Sequence, residues 1–173
     1  MIIYFFKLKL DSFVRFNIFI YMFSKACEYG IRATVYIADQ SKQGNRAILK
    51  EIAKEIASPE AFTAKILQQL VKSNIVMSIK GINGGFEISK DKISNLKLAD
   101  IVLAIDGDGI YTNCAFGLKD CTEQYPCPVH HKYKPIKASI RKVLEQTGIN
   151  EMSDSLKDGL TFLKIENNIN QHK

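Results

Sequence analysis

Between residues 48 and 73 the chain reads as two short helices with almost nothing between them. The stretch ILKEIAKEIA (48–57) sets Ile48, Ile52, Ala53 and Ile56 on one face and its Lys and Glu residues on the other, the spacing of an amphipathic helix. SPEAF follows with the chemistry of a helix start: Ser58 as N-cap, Pro59 at the first helical position and Glu60 behind it. The helix predicted over 59–73 turns Phe62, Ile66, Leu67, Leu70 and Val71 inward. So tight a connection forces the two helices to cross, as in a helix-turn-helix. Next, Val76, Ser78 and Lys80 alternate with Met77 and Ile79 as a strand, Phe86–Ser89 read as its return, and GINGG supplies the turn. An earlier helix runs from the N-cap Ser24 to about Asp39 on the stripe Tyr29, Ala33, Tyr36 and Ile37; Cys27 near its start reads as a small, semi-buried residue. Three helices and a hairpin predict a mainly α chain with a small β-hairpin, a winged helix-turn-helix. No lysine of a phosphate-binding loop follows the glycines, so a nucleotide site is excluded.

This architecture and the charge point to the same partner. Formal net charge is +6 and the pI about 9.1, which favours a polyanion. The second helix of such a motif brings its N-terminus, with free N–H groups and the positive end of its dipole, to the major groove of double-stranded DNA. Ser58, Pro59, Thr63 and Lys65 form that end, and Lys80 and Asn83 flank the side-chain-free backbone of Gly84 and Gly85 on the wing. Ser24 and Lys25, at the start of the first helix, complete the expected DNA-binding set. The competing reading is a winged helix that contacts only protein.

Further along, Cys114, Cys121, Cys127 and His130 form the pattern C-x6-C-x5-C-x2-H. Thiolates and imidazole so closely spaced converge on a soft or borderline metal with little chain between them. Pro126 and Pro128 fix the direction of the chain around Cys127. Reduced thiols lining a small core are the alternative. DGDG at 106–109 lacks the later ligands of a calcium loop and reads as a turn ending an apolar helix over 96–106. After the cysteines, Tyr133, Ile136, Ile140, Val143 and Leu144 stripe a long helix from about Val129 to Glu145, with Lys132, Lys134, Lys137, Arg141 and Lys142 outside. A twin helix across a two-fold axis would cover that stripe, giving a homodimer that presents two recognition helices to a palindromic operator.

The domain plan is therefore an extension at 1–21, a winged helix at 22–90, a linker helix and cysteine loop at 91–128, a dimerisation helix and C-terminal helix at 129–165, and a tail at 166–173. MIIYFFKLKLDSFVRFNIFIY (1–21) is broken by charges, too short in its apolar runs to span a membrane and without a cleavage site, so Met22 reads as the natural start. No export signal implies a reducing cytoplasm, where clustered thiols serve as metal ligands rather than disulfides.

FSKACEYGIRA, SPEAFTAKILQQL, KGINGGFEI and the three cysteines together resemble the Rrf2 family of bacterial transcription regulators, over about Met22 to Leu163. The resemblance implies a regulator, not an enzyme, holding an iron–sulphur cluster (2Fe-2S or 4Fe-4S) on Cys114, Cys121 and Cys127 before the dimerisation helix. It offers two fourth ligands. One is His130; the other is Glu28 of the partner subunit, in the match Glu28-Tyr29-Gly30-Ile31-Arg32, which the x6–x5 spacing favours through its likeness to the nitric-oxide-responsive branch. Three positions depart from the family: Lys80 replaces a wing arginine, Ile82 a turn proline, and Ala64 a glutamate that selects DNA sites in one branch. Metal ligation would order a loop that is floppy when empty, fix the recognition helices relative to each other and so set DNA affinity, most economically as a repressor. A zinc- or thiol-based regulator of the same fold, or an iron–sulphur redox protein, are the alternatives.

Overall fold

The computed structural model describes residues 22–157; the 1–21 extension, residues 158–165 of the expected 129–165 segment and the 166–173 tail lie outside them. Helix α1 (Lys25–Lys42) opens at Ser24, whose Oγ accepts from Cys27 N at 3.1 Å. It runs three residues beyond the expected end at Asp39. Ser41 is the reason, because this buried residue's Oγ accepts from Ile88 N at 3.0 Å and docks the last turn on the base of the wing.

Helices α2 (Leu49–Glu55) and α3 (Glu60–Lys72) form the helix-turn-helix. Ala57 bends the connection with a left-handed φ of 52°. The N-cap of α3 is Pro59, not Ser58: the Pro59 carbonyl accepts from Phe62 N and Thr63 N, and Ser58 is buried with no hydrogen-bond partner for its Oγ. Strands β1 (Met77–Ile79) and β2 (Gly85–Glu87) pair antiparallel, Ser78 opposite Phe86. Ala47 adds a third line to the wing, exchanging hydrogen bonds with Phe86 at 3.0 and 2.8 Å.

A short helix not expected from the sequence, α4 (Lys90–Asn95), precedes α5 (Leu98–Asp106). Gly107, at φ 75°, ends α5, and DGDG leads into one further turn, α6 (Gly109–Thr112). Helix α7 (His130–Gln146) is followed by α8 (Ile149–Lys157). The core gathers around α1, where Val35, Ile37 and Ala38 are buried with Ile52, Leu67, Leu70, Ile101, Val102 and Ile149. Helices α1 and α5 press together at Gly30, where a Cβ would meet the Ile105 side chain.

The C-terminal end of α7 is anchored: Leu144 is buried, Leu98 N donates to the Thr147 carbonyl and Ile149 N to the Leu96 carbonyl. Along the rest of α7 the apolar stripe stands open, with Tyr133, Ile136 and Val143 exposed. Burial of about 25 cal/mol per Å² makes such a stripe costly to leave in water.

Candidate metal centre and DNA-facing surface

The cysteine loop hangs between α6 and the first residue of α7. Its turns are local: Gly117 N donates to the Cys114 carbonyl, Thr122 N to the Tyr125 carbonyl, Tyr125 N to Thr122 Oγ1, and His130 N to the Cys127 carbonyl. These turns bring the sulphurs of Cys114, Cys121 and Cys127 within 4.8 Å of one another, with Cys114 Sγ 3.6 Å from Cys127 Sγ. Backbone N–H groups point at two of them, Phe116 N at Cys114 Sγ and Cys127 N at Cys121 Sγ, both at 3.4 Å. The Phe116 N–H draws the Cys114 thiol down to about 7, against the opposing effect of desolvation, so it is readily a thiolate near neutral pH. Cys121 also receives a stabilising N–H from Cys127, yet desolvation and the neighbouring thiols leave it raised.

His130, the first residue of α7, turns Nδ1 to within 3.2 Å of Cys121 Sγ. Its other nitrogen, Nε2, lies 3.2 Å from Glu123 Oε1, and Lys134 Nζ donates to that same oxygen at 2.6 Å. The Lys134 ammonium, then the His130 ring, hold the Glu123 carboxyl down at about 2. Lys137 Nζ reaches the Asn113 carbonyl at 3.2 Å, tying α7 to the other end of the loop.

Glu28 stands elsewhere. Its Oε2 is 2.7 Å from Lys25 Nζ and 3.6 Å from Arg32 Nη2 on its own helix, and within the protomer it is not part of the thiol cluster. Cys27, behind it, is fully buried, and burial first of all pushes its thiol up to about 12.

The DNA-facing set divides. Pro59, Lys65, Lys80 and Asn83 are exposed, with Gly84 half-buried behind the wing tip. Thr63 is a correction to the expectation of a DNA-facing hydroxyl: it is fully buried and its Oγ1 donates to the Pro59 carbonyl at 3.1 Å. Its spacing from Ile66, Leu67 and Leu70 puts it on the core face, a signal present in the sequence. Ser58 is likewise buried rather than presented. At α1, Ser24 is exposed but binds Asp106, and Lys25 pairs with Glu28. Arg46 was not anticipated. Its Nε donates to Glu87 Oε2 at 2.6 Å and its Nη1 to the Asn83 carbonyl at 3.0 Å, bracing the wing tip from outside. Neither partner lies near it in sequence, so no local pattern marks it.

A helix-turn-helix with a braced wing, followed by a thiol loop and a long helix, defines a DNA-binding transcription regulator. Residues 23–155 match the Rrf2 family, described as iron-dependent transcriptional regulators, and the chain belongs to that family. An HTH-type transcriptional regulator of Aquifex aeolicus is 30% identical over 76% of this chain and 90% of its own length. The HTH-type transcriptional regulator NsrR of Oceanobacillus iheyensis is 24% identical over 82% of this chain and 96% of its own. Two solved structures share the fold: CymR, the global cysteine regulator of B. subtilis (TM-score 0.63, 20% identity, 76% of this chain and 95% of that one), and IscR of T. potens (TM-score 0.62, 21% identity, 80% and 90%). Among the described residues, no helix is long and apolar enough to cross a membrane.

Proposed function

We propose that this regulator works as a homodimer whose affinity for a palindromic operator is set by an iron–sulphur cluster on Cys114, Cys121, Cys127 and His130, and that it represses by occupying its promoter in the cytoplasm. The observation that carries the reading is the convergence of three thiols and one imidazole nitrogen in a loop held by local turns and by the contacts of Glu123 and Asn113 with α7. Four donors of this softness suit iron–sulphur ligation, and the description of the family as iron-dependent supports iron over other metals. When bound, such a group supplies sensitivity to oxidation, to nitric oxide and to loss of iron.

The chain's own residues carry that sensitivity outward. His130 heads α7, whose apolar stripe would meet its twin in the dimer. Asn113, held by Lys137, continues back through α6 to Asp106 at the end of α5. Helix α5 in turn touches the recognition helix, where Gln69 Nε2 donates to the Ala104 carbonyl at 2.8 Å. Ordering the loop therefore biases both the dimer helix and the groove-reading helix. A tenfold change in DNA affinity needs about 1.4 kcal/mol of such coupling.

A second reading has a specific observation behind it. Sulphurs bonded at 2.3 Å around one tetrahedral ion stand about 3.8 Å apart, close to the 3.6 Å between Cys114 and Cys127. That spacing suits a single zinc or iron ion, and CymR, named as a cysteine regulator, shows that this fold serves another signal. Purification without oxygen, with iron, sulphide and zinc counted and DNA binding measured before and after metal removal, tests both. Brown protein with iron and sulphide in equal amount, whose DNA affinity changes on removal, is expected. Colourless protein with zinc, or metal-free protein with unaltered affinity, would overturn the cluster reading.

A further inference from the structure

Glu123 lies outside the cysteine motif, yet its carboxylate is the best-connected group beside the centre. The turn from Thr122 to Tyr125, closed by Thr122 N to the Tyr125 carbonyl and Tyr125 N to Thr122 Oγ1, presents it toward α7. There, one oxygen, Oε1, meets His130 Nε2 at 3.2 Å and Lys134 Nζ at 2.6 Å. His130 and Lys134 are four residues apart on α7 and so share a face. The carboxylate thus pins the cysteine loop to the first turn of α7 at the residue whose opposite ring nitrogen, Nδ1, stands 3.2 Å from Cys121 Sγ.

A neutral imidazole carries one proton, and the nitrogen that holds it cannot ligate. An acceptor at Nε2 keeps the proton there and leaves the Nδ1 lone pair directed at the thiols. We propose that Glu123 is the positioning residue of this metal centre: it fixes the ring orientation and tautomer of His130 so that Nδ1 ligates, and Lys134 holds Glu123 in place. The inference rests on His130 being a ligand. Carboxylates behind ligating histidines act this way in metal sites generally, and their loss costs about 10–100-fold in metal affinity.

The test uses the full chain purified without oxygen, as wild type, Glu123→Ala and Glu123→Gln. Glu123 is exposed, so both variants should keep the wild-type circular dichroism. The readouts are the nitrogen hyperfine coupling of the reduced centre in electron paramagnetic resonance and the rate at which a chelator removes the metal. Glu123→Ala should weaken or lose the coupling and release metal about tenfold faster, whereas Glu123→Gln, which keeps an acceptor oxygen, should stay within about twofold of wild type. Should Glu123→Ala match wild type in both readouts, the proposal is overturned and His130 ligation stands. If wild type itself shows no nitrogen coupling, and His130→Ala releases metal at the wild-type rate, the His130 reading falls and the role of Glu123 falls with it. The chelator measurement decides equally for a cluster or for zinc.

Discussion

Ser24 and Asp106 are joined by two hydrogen bonds across 82 residues of sequence: Ser24 N donates to Asp106 Oδ2 at 2.8 Å and Ser24 Oγ donates to Asp106 Oδ1. The same hydroxyl accepts from Cys27 N, so it caps α1 and clamps the end of α5 at once. Asp106 is the last residue before Gly107 turns the chain toward the cysteine loop. The start of the helix carrying Glu28 is thus fixed to the strap that carries the thiols.

This link should behave as one unit in stability measurements. A charge-assisted hydrogen bond is worth about 1.5–3 kcal/mol, and an N-cap hydroxyl about 1 kcal/mol. Because the pair is exposed, Asp106→Ala is expected at the lower end, about 1–2 kcal/mol. Ser24→Ala should cost about 1 kcal/mol, and the double variant clearly less than the sum. Denaturant titration of the four proteins measures this. Strict additivity would show the two residues to be independent.

Cys27 gives the protein a defined weakness in alkali. Burial, then the charge and hydrogen bond of Asp106, then Glu28, raise its thiol from 9.0 to about 12. The folded chain keeps this proton while the unfolded chain gives it up, so the contribution is complete below pH 9 and disappears as pH climbs from about 9 to about 12. The slope attributable to one such proton is at most about 1.4 kcal/mol per pH unit. Stability curves for wild type and Cys27→Ala should converge over that interval, whatever the cost of the cavity at neutral pH. Parallel curves would contradict the assignment.

The wing offers two separable losses of DNA binding. A Cβ at Gly84 would stand 2.4 Å from the Ile79 carbonyl oxygen and 2.8 Å from that of Gly81, both backbone, so Gly84→Ala must open the turn. DNA affinity should fall tenfold or more, about 1.4 kcal/mol, with the core transition little changed, since the wing tip contributes little burial. Lys80→Ala should instead weaken binding to all sequences alike and lower the salt dependence by about one unit of slope. Binding to a palindromic duplex over a range of salt separates the two. An unchanged slope would remove Lys80 from the interface.

The fold was legible where periodicity and punctuation agree. SPEAF, GINGG and the cysteine spacing each fix a local geometry, and helix, helix, helix, hairpin follows from them. Where tertiary contacts decide, local rules failed: α1 runs on to Lys42 because Ser41 is held by Ile88, and Pro59 displaces Ser58 as cap after the left-handed Ala57. The candidate centre was legible only as a set of ligands. Glu123, Lys134, Arg46 and Asp106 act through partners brought to them by the fold, and as single charges in the sequence they look like any solvated surface.

On the fourth ligand of the proposed centre, the sequence and the geometry lean opposite ways. The match around Glu28 and the x6–x5 spacing favour a carboxylate arriving from the partner subunit. In the protomer, Glu28 is held by Lys25 and Arg32, which must yield before it can ligate, whereas His130 already stands 3.2 Å from Cys121 Sγ. Only Pro128 and Val129 separate His130 from Cys127, so closing that ligation loop costs little entropy. Imidazole also matches thiolate-bound iron better than a hard carboxylate does. His130→Ala should therefore change the anaerobic absorption and circular dichroism of the centre and speed metal loss about tenfold, while Glu28→Ala leaves both near wild type. The reverse outcome, with the Glu28 change alone altering the spectra, would mean that the centre bridges two subunits and links one protomer's first helix directly to the other's thiol loop.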